Sequence, residues 1–431
     1  LWNYYDGDQP LRYSTQRLQA VFNSIDARFW ENWCAVVVDA VLDRLQVQGW
    51  DANDRGMNKA LDEYWDRHNV MLEAASAHEA VSVCGEGFIM VWDEGDGPEV
   101  YANDPRLVHC FYDANNPHMM RMAAKWWVGE DGLRYLTLYY PDRLEYYVST
   151  TQDDHVSSAD DFVAADPPTA PNPFERIPVF HLRKSRRSGQ GELRPSVTSQ
   201  QDIVNKLLAD LMVTAEFGAF PQRWIITLGD TSQLRNAPNE IWTIPSGDGV
   251  GQGTSVGQFS PADLTVYSDQ IDKIANAMAV ITRTPKHYFM AQAGANVSGE
   301  ALIAMEAPLN KKSEGLQNIY GATWKEVGAF LAQLLGYPVT PYDLSVLWET
   351  AQTVQPLTEA TARKTSVDAG IPLVTQLRRE GWTQQELDDM AKDEQAAQAK
   401  QTSMAQALLA EARMRMEQQA PADAVTVDGD D

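Results

Sequence analysis

Apolar residues along this chain switch repeatedly between two spacings, and the switches mark its elements. From Glu31 to Leu45, Val37, Val41 and Leu45 share one stripe while Asp39, Asp43 and Arg44 lie off it, so residues 14–46 read as helical. A second helix is expected over roughly Lys59 to Ser82. The period then drops to two. Phe88 to Trp92, Leu107 to Tyr112, Arg121 to Val128, Tyr135 to Tyr140 and Leu144 to Ser149 read as strands. Turn chemistry separates them at Glu94-Gly95-Asp96-Gly97-Pro98, Gly129-Glu130-Asp131-Gly132 and Pro141-Asp142. This predicts an α+β region built on an antiparallel meander. Gln152 to Pro173 is polar, acidic and rich in proline, and reads as an exposed loop without a core of its own. Ile177 to Leu182 returns as a strand.

The second half is dominated by helices. Leu193 to Phe217 carries Val197, Gln201, Val204, Leu208, Leu211 and Ala215 in alternating steps of four and three, a seam suited to shallow packing on another helix. Phe220-Pro221 ends it. Arg223 to Leu228 and Ile241 to Pro245 look like strands, and Ser246 to Gly257 is glycine-rich. A helix opening at Ser260-Pro261 carries Ile271, Ile274, Met278 and Ile281 and stops at Thr284-Pro285. Lys286 to Val297 reads as a flexible loop, its freedom set by Gly294 and small alanines. Ser298-Gly299-Glu300 then opens a helix reaching about Leu335, on the order of 55 Å long. Pro308 lies inside it and predicts a kink near Met305 to Pro308. Residues 355–419 form a helical tail, broken into short pieces at Gly370-Ile371-Pro372 and Gly381-Trp382-Thr383. Thr383 and Glu386 fit a capping box for its last piece, which has a narrow apolar edge at Met404, Leu408, Ala412 and Met416.

Composition narrows the function classes. A chain of 431 residues, 44% hydrophobic, has ample material for two or three domains. No apolar run approaches the roughly 20 residues that cross a bilayer, and no signal peptide is expected, although the chain starts at Leu1. Cys34, Cys84 and Cys110 make no CxxC pair and read as reduced core thiols. No metal site is expected, because the seven histidines do not cluster beside those thiols. The formal charge of −25 argues against gripping phosphates through clustered Lys and Arg. It fits a soluble acidic surface, or one that touches a polyanion without holding it. The segment from Glu380 to Asp431 holds 12 acids and 4 bases, a balance of −8. Arg183-Lys184-Ser185-Arg186-Arg187 is the one dense basic run, either a solvated turn or an inter-subunit or phosphate contact.

The sequence carries no HExxH, no GxSxG and no Walker A lysine. The glycines at 247, 249, 251, 253 and 257 lack the GxxxxGK[ST] and GxGxxG spacings, so no nucleotide cofactor is expected. Adjacent acids at Asp153-Asp154 and Asp160-Asp161 fall in an expected loop, which supplies no shaped dry site for acid–base work. The 13 tryptophans and 16 tyrosines lie mostly within strand and helix patterns, which favours packing over sugar stacking. No enzymatic activity is expected.

Three segments in this order resemble the portal proteins of tailed double-stranded DNA bacteriophages, in the type common among long-tailed siphophages. They are Val38-Asp39-Ala40-Val41-Leu42-Asp43-Arg44-Leu45, Thr284-Pro285-Lys286-His287-Tyr288 and Asn296-Val297-Ser298-Gly299-Glu300-Ala301-Leu302. The resemblance covers nearly the whole chain. It implies an α+β portal fold with an α/β wing over residues 1–192, stem helices at 193–219 and 261–283, and a small β-containing clip at 220–260. A tunnel loop at 284–297, a long kinked helix with wing return at 298–354, and a helical C-terminal crown at 355–431 follow. The tail is unusually acidic for such a crown.

In that family twelve copies form a ring at one capsid vertex, through which DNA is packaged and later ejected. The resemblance therefore implies a homo-oligomeric dodecamer in the virion, assembled in the host cytoplasm, with no membrane partner. Its expected partners are double-stranded DNA, the terminase large subunit carrying the ATPase, a head–tail adaptor, and the major capsid and scaffold proteins. It implies channel-facing residues at Lys286, His287, Tyr288, Gln292, Gly294, Asn296 and Ser298, with Lys311 and Lys312 as further candidate channel bases. Arg223, Trp224, Arg235 and Trp242 would contact the motor and adaptor. An acidic ring would repel the duplex and keep it centred, because DNA carries roughly one charge per 1.7 Å of axis. The rival reading from another class is an acidic carbohydrate-active hydrolase with paired carboxylates. Another virion scaffold or adaptor ring is a third.

Overall fold

The computed structural model describes residues 1–10, 12, 31–52, 54–93, 95–152, 158–186, 190–218, 223–226, 231, 255–260, 263–290, 298–352, 356–379, 382 and 384–418. The expectations for residues 14–30, Ile241 to Pro245, most of the glycine run and the Thr383 cap lie outside them. The chain divides into two units, Leu1–Thr353 and Val354–Asp431.

The first unit opens with a short helix α1 (Trp2–Tyr5) and helix α2 (Trp33–Leu42). Strand β1 (Val47–Ala52) follows, then α3 (Arg55–Arg67) and α4 (Val70–Cys84). The single helix expected over Lys59 to Ser82 is therefore two. Asn69 at φ +48° breaks it, and Gly85 at φ +88° closes α4 in the left-handed conformation that glycine adopts without a Cβ penalty.

Strands β2 (Glu86–Asp93), β3 (Pro98–Asn103), β4 (Val108–Tyr112), β5 (Met120–Val128), β6 (Arg134–Tyr139), β7 (Arg143–Ser149), β8 (Phe162–Pro171) and β9 (Val179–Arg183) form two sheets. The first has the order β3-β2-β9 and the second β4-β5-β6-β7-β8, both antiparallel. Between them lies a core of Phe88, Met90, Val108, Cys110, Ala123, Tyr139, Leu144, Ile177 and Val179. The expected meander is present. The expectation of a coreless loop over Gln152 to Pro173 is overturned, because Phe162 to Pro171 pairs with β7 and ends the sheet. Proline lacks the N–H a ladder needs but is tolerated on an edge strand, which is where Pro167, Pro168 and Pro171 sit.

Two longer helices follow, α5 (Pro195–Gly218) and α6 (Thr265–Thr282). The ribbon of β10 (Arg223–Ile226) and β11 (Ser255–Gln258) lies between them in sequence. Helix α7 (Gly299–Leu334) contains Pro308 and leads to β12 (Leu344–Trp348). That strand pairs antiparallel with β1, Trp50 opposite Val346, across nearly 300 residues. Trp50, Trp65 and Trp324 meet at its centre, with ring centroids 5.0–6.3 Å apart. Gly328 is required there, since a Cβ on it would collide with the Trp50 indole. This aromatic core bears out packing over sugar stacking for these rings. The three cysteines are free thiols, and burial pushes Cys34 and Cys110 up to about 12.

The second unit holds α8 (Pro356–Asp368), α9 (Leu373–Arg379) and α10 (Gln384–Gln418). The last piece of the tail is not short: α10 runs for 35 residues and exposes Met404 and Leu408. No helix among the described residues is long and apolar enough to cross a membrane.

Candidate functional site: the anchor of the loop before helix α7

The segment between α6 and α7 holds the largest group of residues the sequence singles out, and its first half is firmly held. Helix α6 ends at Thr282, and Arg283 takes φ +62° to turn the chain. Lys286 to Tyr288 form a single 3₁₀ turn after Pro285. Lys286 Nζ lies 2.7 Å from Asp272 Oδ1, one ridge of α6 away. Phe289 is buried against the edge of Trp33 of α2, centroids 5.6 Å apart. The expectation of a flexible loop from Lys286 onward is corrected for residues 286–290, where two aromatic rings and one ion pair bind the turn to the body.

A buried polar network lies under this turn. Arg44, at the end of α2, donates from Nη2 to Glu306 Oε2 at 2.7 Å and to Tyr288 OH at 3.1 Å. It also donates from Nε to Asn310 Oδ1 at 2.9 Å and from Nη1 to Ala40 O at 2.9 Å. Tyr288 OH donates to Glu306 Oε1 at 3.3 Å, and His287 Nε2 stands 3.7 Å from the same oxygen. Both charged side chains are 11% exposed. A buried guanidinium with four partners is well satisfied, so its job is to fix geometry among the elements it joins. Those elements are α2, the 3₁₀ turn and α7.

A second buried ion cluster sits two turns along α7. Lys312 Nζ is 3.1 Å from Glu192 Oε2 and donates to Thr282 O at 2.8 Å, the open C-terminus of α6. Lys184 Nζ donates to Glu192 Oε1 at 2.6 Å. Burial alone would raise the Glu192 pKa, but the two ammonium groups outweigh it and the net shift is downward. Burial lowers Lys312, partly offset by Glu192. Lys312, expected as a channel base, is instead a buried clamp on the end of α6. Lys311 is 81% exposed and pairs with Glu314 at 3.2 Å.

The remaining candidates divide cleanly. Ser298 caps α7 by accepting from Ala301 N at 3.3 Å. Pro308 leaves Ala304 O without its usual donor, at the point where α7 passes from exposed turns into the buried stretch beginning at Glu306. Arg223 and Trp224 lie on β10, and the Trp224 ring fills the space a Cβ at Gly257 would need. Gln292, Gly294, Asn296, Arg235 and Trp242 lie outside the described residues.

Sequence reasoning missed Arg44, Glu192, Glu306 and Asn310 as site residues. It placed Gln201 on an apolar seam; the structure has it meet the first N–H groups of α2, beside the N-cap Asn32. Gln201 Oε1 accepts from Trp33 N at 2.8 Å and Cys34 N at 3.2 Å, and its Nε2 donates to Glu31 O at 2.6 Å. It is fully buried. Among the described residues no group of acids, histidines or cysteines converges to hold a metal ion.

An α+β body leads through paired helices to an anchored turn and a 36-residue helix, and the two buried ion clusters described above join these elements. The chain belongs to the phage portal protein family of the SPP1 Gp6-like type, whose model matches residues 34–400. It is 25% identical over 317 residues to the portal protein of Mycobacterium phage L5, covering 67% of this chain and 62% of that one. It is 25% identical over 334 residues to the portal protein of Mycobacterium phage D29, covering 71% of this chain and 65% of that one. The chain thus spans a little under two thirds of the length of these relatives. Among solved structures it is similar to a chain in the neck of an empty gene transfer agent particle computed with C6 symmetry, with TM-score 0.49 and 12% identity over 83% of this chain and 91% of that one. A chain in the native neck computed with C12 symmetry is also similar, with TM-score 0.45 and 10% identity over 82% and 89%.

Proposed function

We propose that this protein is the subunit of a twelve-membered portal ring at a capsid vertex, through which double-stranded DNA enters and later leaves. The observation that carries this reading is family membership across residues 34–400, joined to an architecture whose polar chemistry fixes joints. In this reading α5 and α6 are the stem and the β10–β11 ribbon belongs to the clip, facing first the terminase motor and then the head–tail adaptor. The body around the two sheets is the wing, against capsid and scaffold proteins, and the second unit is the crown. Assembly takes place in the host cytoplasm and the ring ends in the virion. The ring does no bond chemistry of its own.

The tunnel loop in this reading is residues 291–297, between two differently held ends. Its upstream end, at Met290, follows a turn pinned by Asp272, Trp33 and Arg44. Its downstream end leads into the first turn of α7, exposed over residues 298–302 ahead of Glu306, which Arg44 holds. Duplex contact would therefore move the α7 side. Electron microscopy of the purified chain tests the ring. Twelve-fold particles with a central hole are expected, and a compact monomer that cleaves polysaccharide would sink the proposal.

A further inference from the structure

A cavity of about 330 Å³ opens between α4 and the connection from α2 to β1. Leu42, Leu45, Met71 and Ala74 give it apolar walls, and Asp43 and Glu79 stand among them. Asp39 is close enough to interact with both of these carboxylates through its charge. Tyr5 OH donates to Asp39 at 2.9 Å, so one phenol is already seated on this acidic group within the chain itself. A carboxylate accepts hydrogen bonds and donates none. The side chain that suits such a cavity has an apolar body, a donor at its tip and no negative charge.

A side chain of that kind stands past the far end of the β1–β12 ladder. Tyr342 is 95% exposed, more than any other large apolar side chain among the described residues. A lone exposed ring is ordinary, but this one is held on a stiff mount. Pro341 opens the 3₁₀ turn Pro341–Asp343, and Thr340 and Asp343 form a capping box around it. Asp343 Oδ2 accepts from Thr340 N at 2.8 Å and from Thr340 Oγ1 at 2.7 Å, so that carboxylate is engaged by the turn. Gln333 Nε2 donates to Val339 O at 2.7 Å, and Leu344, directly after the turn, is buried. A ring presented on a fixed backbone loses little freedom when it binds.

The strand register fixes where the ring and the cavity lie. Leu344 pairs with Ala52 at one end of the ladder, and Val47 pairs with Trp348 at the other. Tyr342 precedes the first end, and Val47 lines the cavity at the second. Roughly 17 Å of strand separates them, beyond the reach of a tyrosine side chain. The two cannot meet within one copy, but they can meet between copies. Two different patches on each subunit are what a head-to-tail contact needs, and such contacts build rings where the rotation closes.

We propose that Tyr342 of one copy enters this cavity of the next, its ring against Leu42, Leu45 and Met71 and its hydroxyl donating to Asp43 or Glu79. Buried tyrosine anchors carry a disproportionate share of an interface's energy. That these contacts close into a ring rests on the ring reading; the match of side chain to cavity does not.

The test uses the full chain, with assembly followed by sedimentation. Tyr342→Ser is expected to raise the concentration needed for assembly roughly ten-fold or more, and Tyr342→Phe, which lacks only the donor, by less. Ala75→Trp, which fills the cavity from its exposed wall, should weaken assembly with the Tyr342 ring intact. Met119→Ser removes another exposed apolar side chain and should leave assembly unchanged. Thermal melts of all four should match the parent, since each replaces an exposed residue. In parallel, Tyr342→p-azidophenylalanine, illuminated in the assembled protein, should give covalent dimers joined at residues 42–47 or 71–79. Tyr342→Ser that assembles like the parent, or illumination that gives no dimers or joins them elsewhere, overturns this inference and leaves the ring reading standing. A parent chain that stays monomeric at high concentration sinks both.

Discussion

Removing the Arg44 guanidinium is the sharpest test of how the loop anchor is built. Arg44→Met keeps the aliphatic length but deletes four hydrogen bonds, to Ala40, Tyr288, Glu306 and Asn310. It removes the guanidinium from beside the Glu306 carboxylate, whose side chain is 11% exposed. Breaking a buried pair from one side costs about 3–5 kcal/mol, because the surviving charge stays desolvated. His287 Nε2 at 3.7 Å offers partial compensation, which places the expected loss near 3 kcal/mol on that scale. At about 2 °C per kcal/mol for a large unit, the melting temperature should fall by roughly 6 °C. The assay is urea and thermal unfolding at fixed protein concentration, for Arg44→Met, Glu306→Met and the double variant. The double variant should recover more than half of the single losses, since two apolar groups then share a dry site. Arg44→Met within about 0.5 kcal/mol of the parent, or losses that simply add, would refute the account of a desolvated pair.

Gly328→Ala should cost roughly 2–4 kcal/mol, because its Cβ drives into Trp50 and breaks the 2.8 Å bond from the indole to Trp324 O; a thermal melt equal to the parent's would contradict this. Gln201→Leu removes the acceptor for two N–H groups at the start of α2 and should cost about 1–3 kcal/mol in urea unfolding, against little for Ser199→Ala on the exposed face. Burial lowers His78 and His181 to about 4, so the unfolded chain takes up their protons near pH 6.5 and the folded chain does not until about 4. Stability is therefore full above pH 6.5 and falls as pH drops toward about 4, with a slope of up to two protons. A flat stability profile between pH 7 and 5 would oppose it.

Elements with strong local periodicity were legible in the sequence. Leu193 to Phe217 emerges as Pro195–Gly218, and the helix before the loop as Thr265–Thr282. Strands β4 to β7 fall within a residue or two of their pattern. Elements whose partner lies far along the chain were not. Strands β1 and β12 are short, and each is held in place by the other across the tryptophan core. Strand β8 was hidden by its prolines, which weigh against a strand in general and are permitted only because this one is an edge. The break at Asn69 needed a left-handed asparagine that hydrophobic spacing does not encode. Buried ions were the least visible of all. Lys312 looks like any surface lysine beside Lys311, and only the fold brings Glu192, 120 residues away, against it. The family resemblance singled out the segment after α6, but the residues that hold its first turn, Arg44 and Glu306, carry no local signature.

The proline edge of the larger sheet has a consequence for how that sheet can grow. A bare outer strand would invite the next copy to add its own backbone there, and growth of that kind has no natural end. Pro167, Pro168 and Pro171 lie on that edge, and each lacks the N–H that a ladder needs. Open-ended stacking, strand upon strand, is disfavoured along that margin.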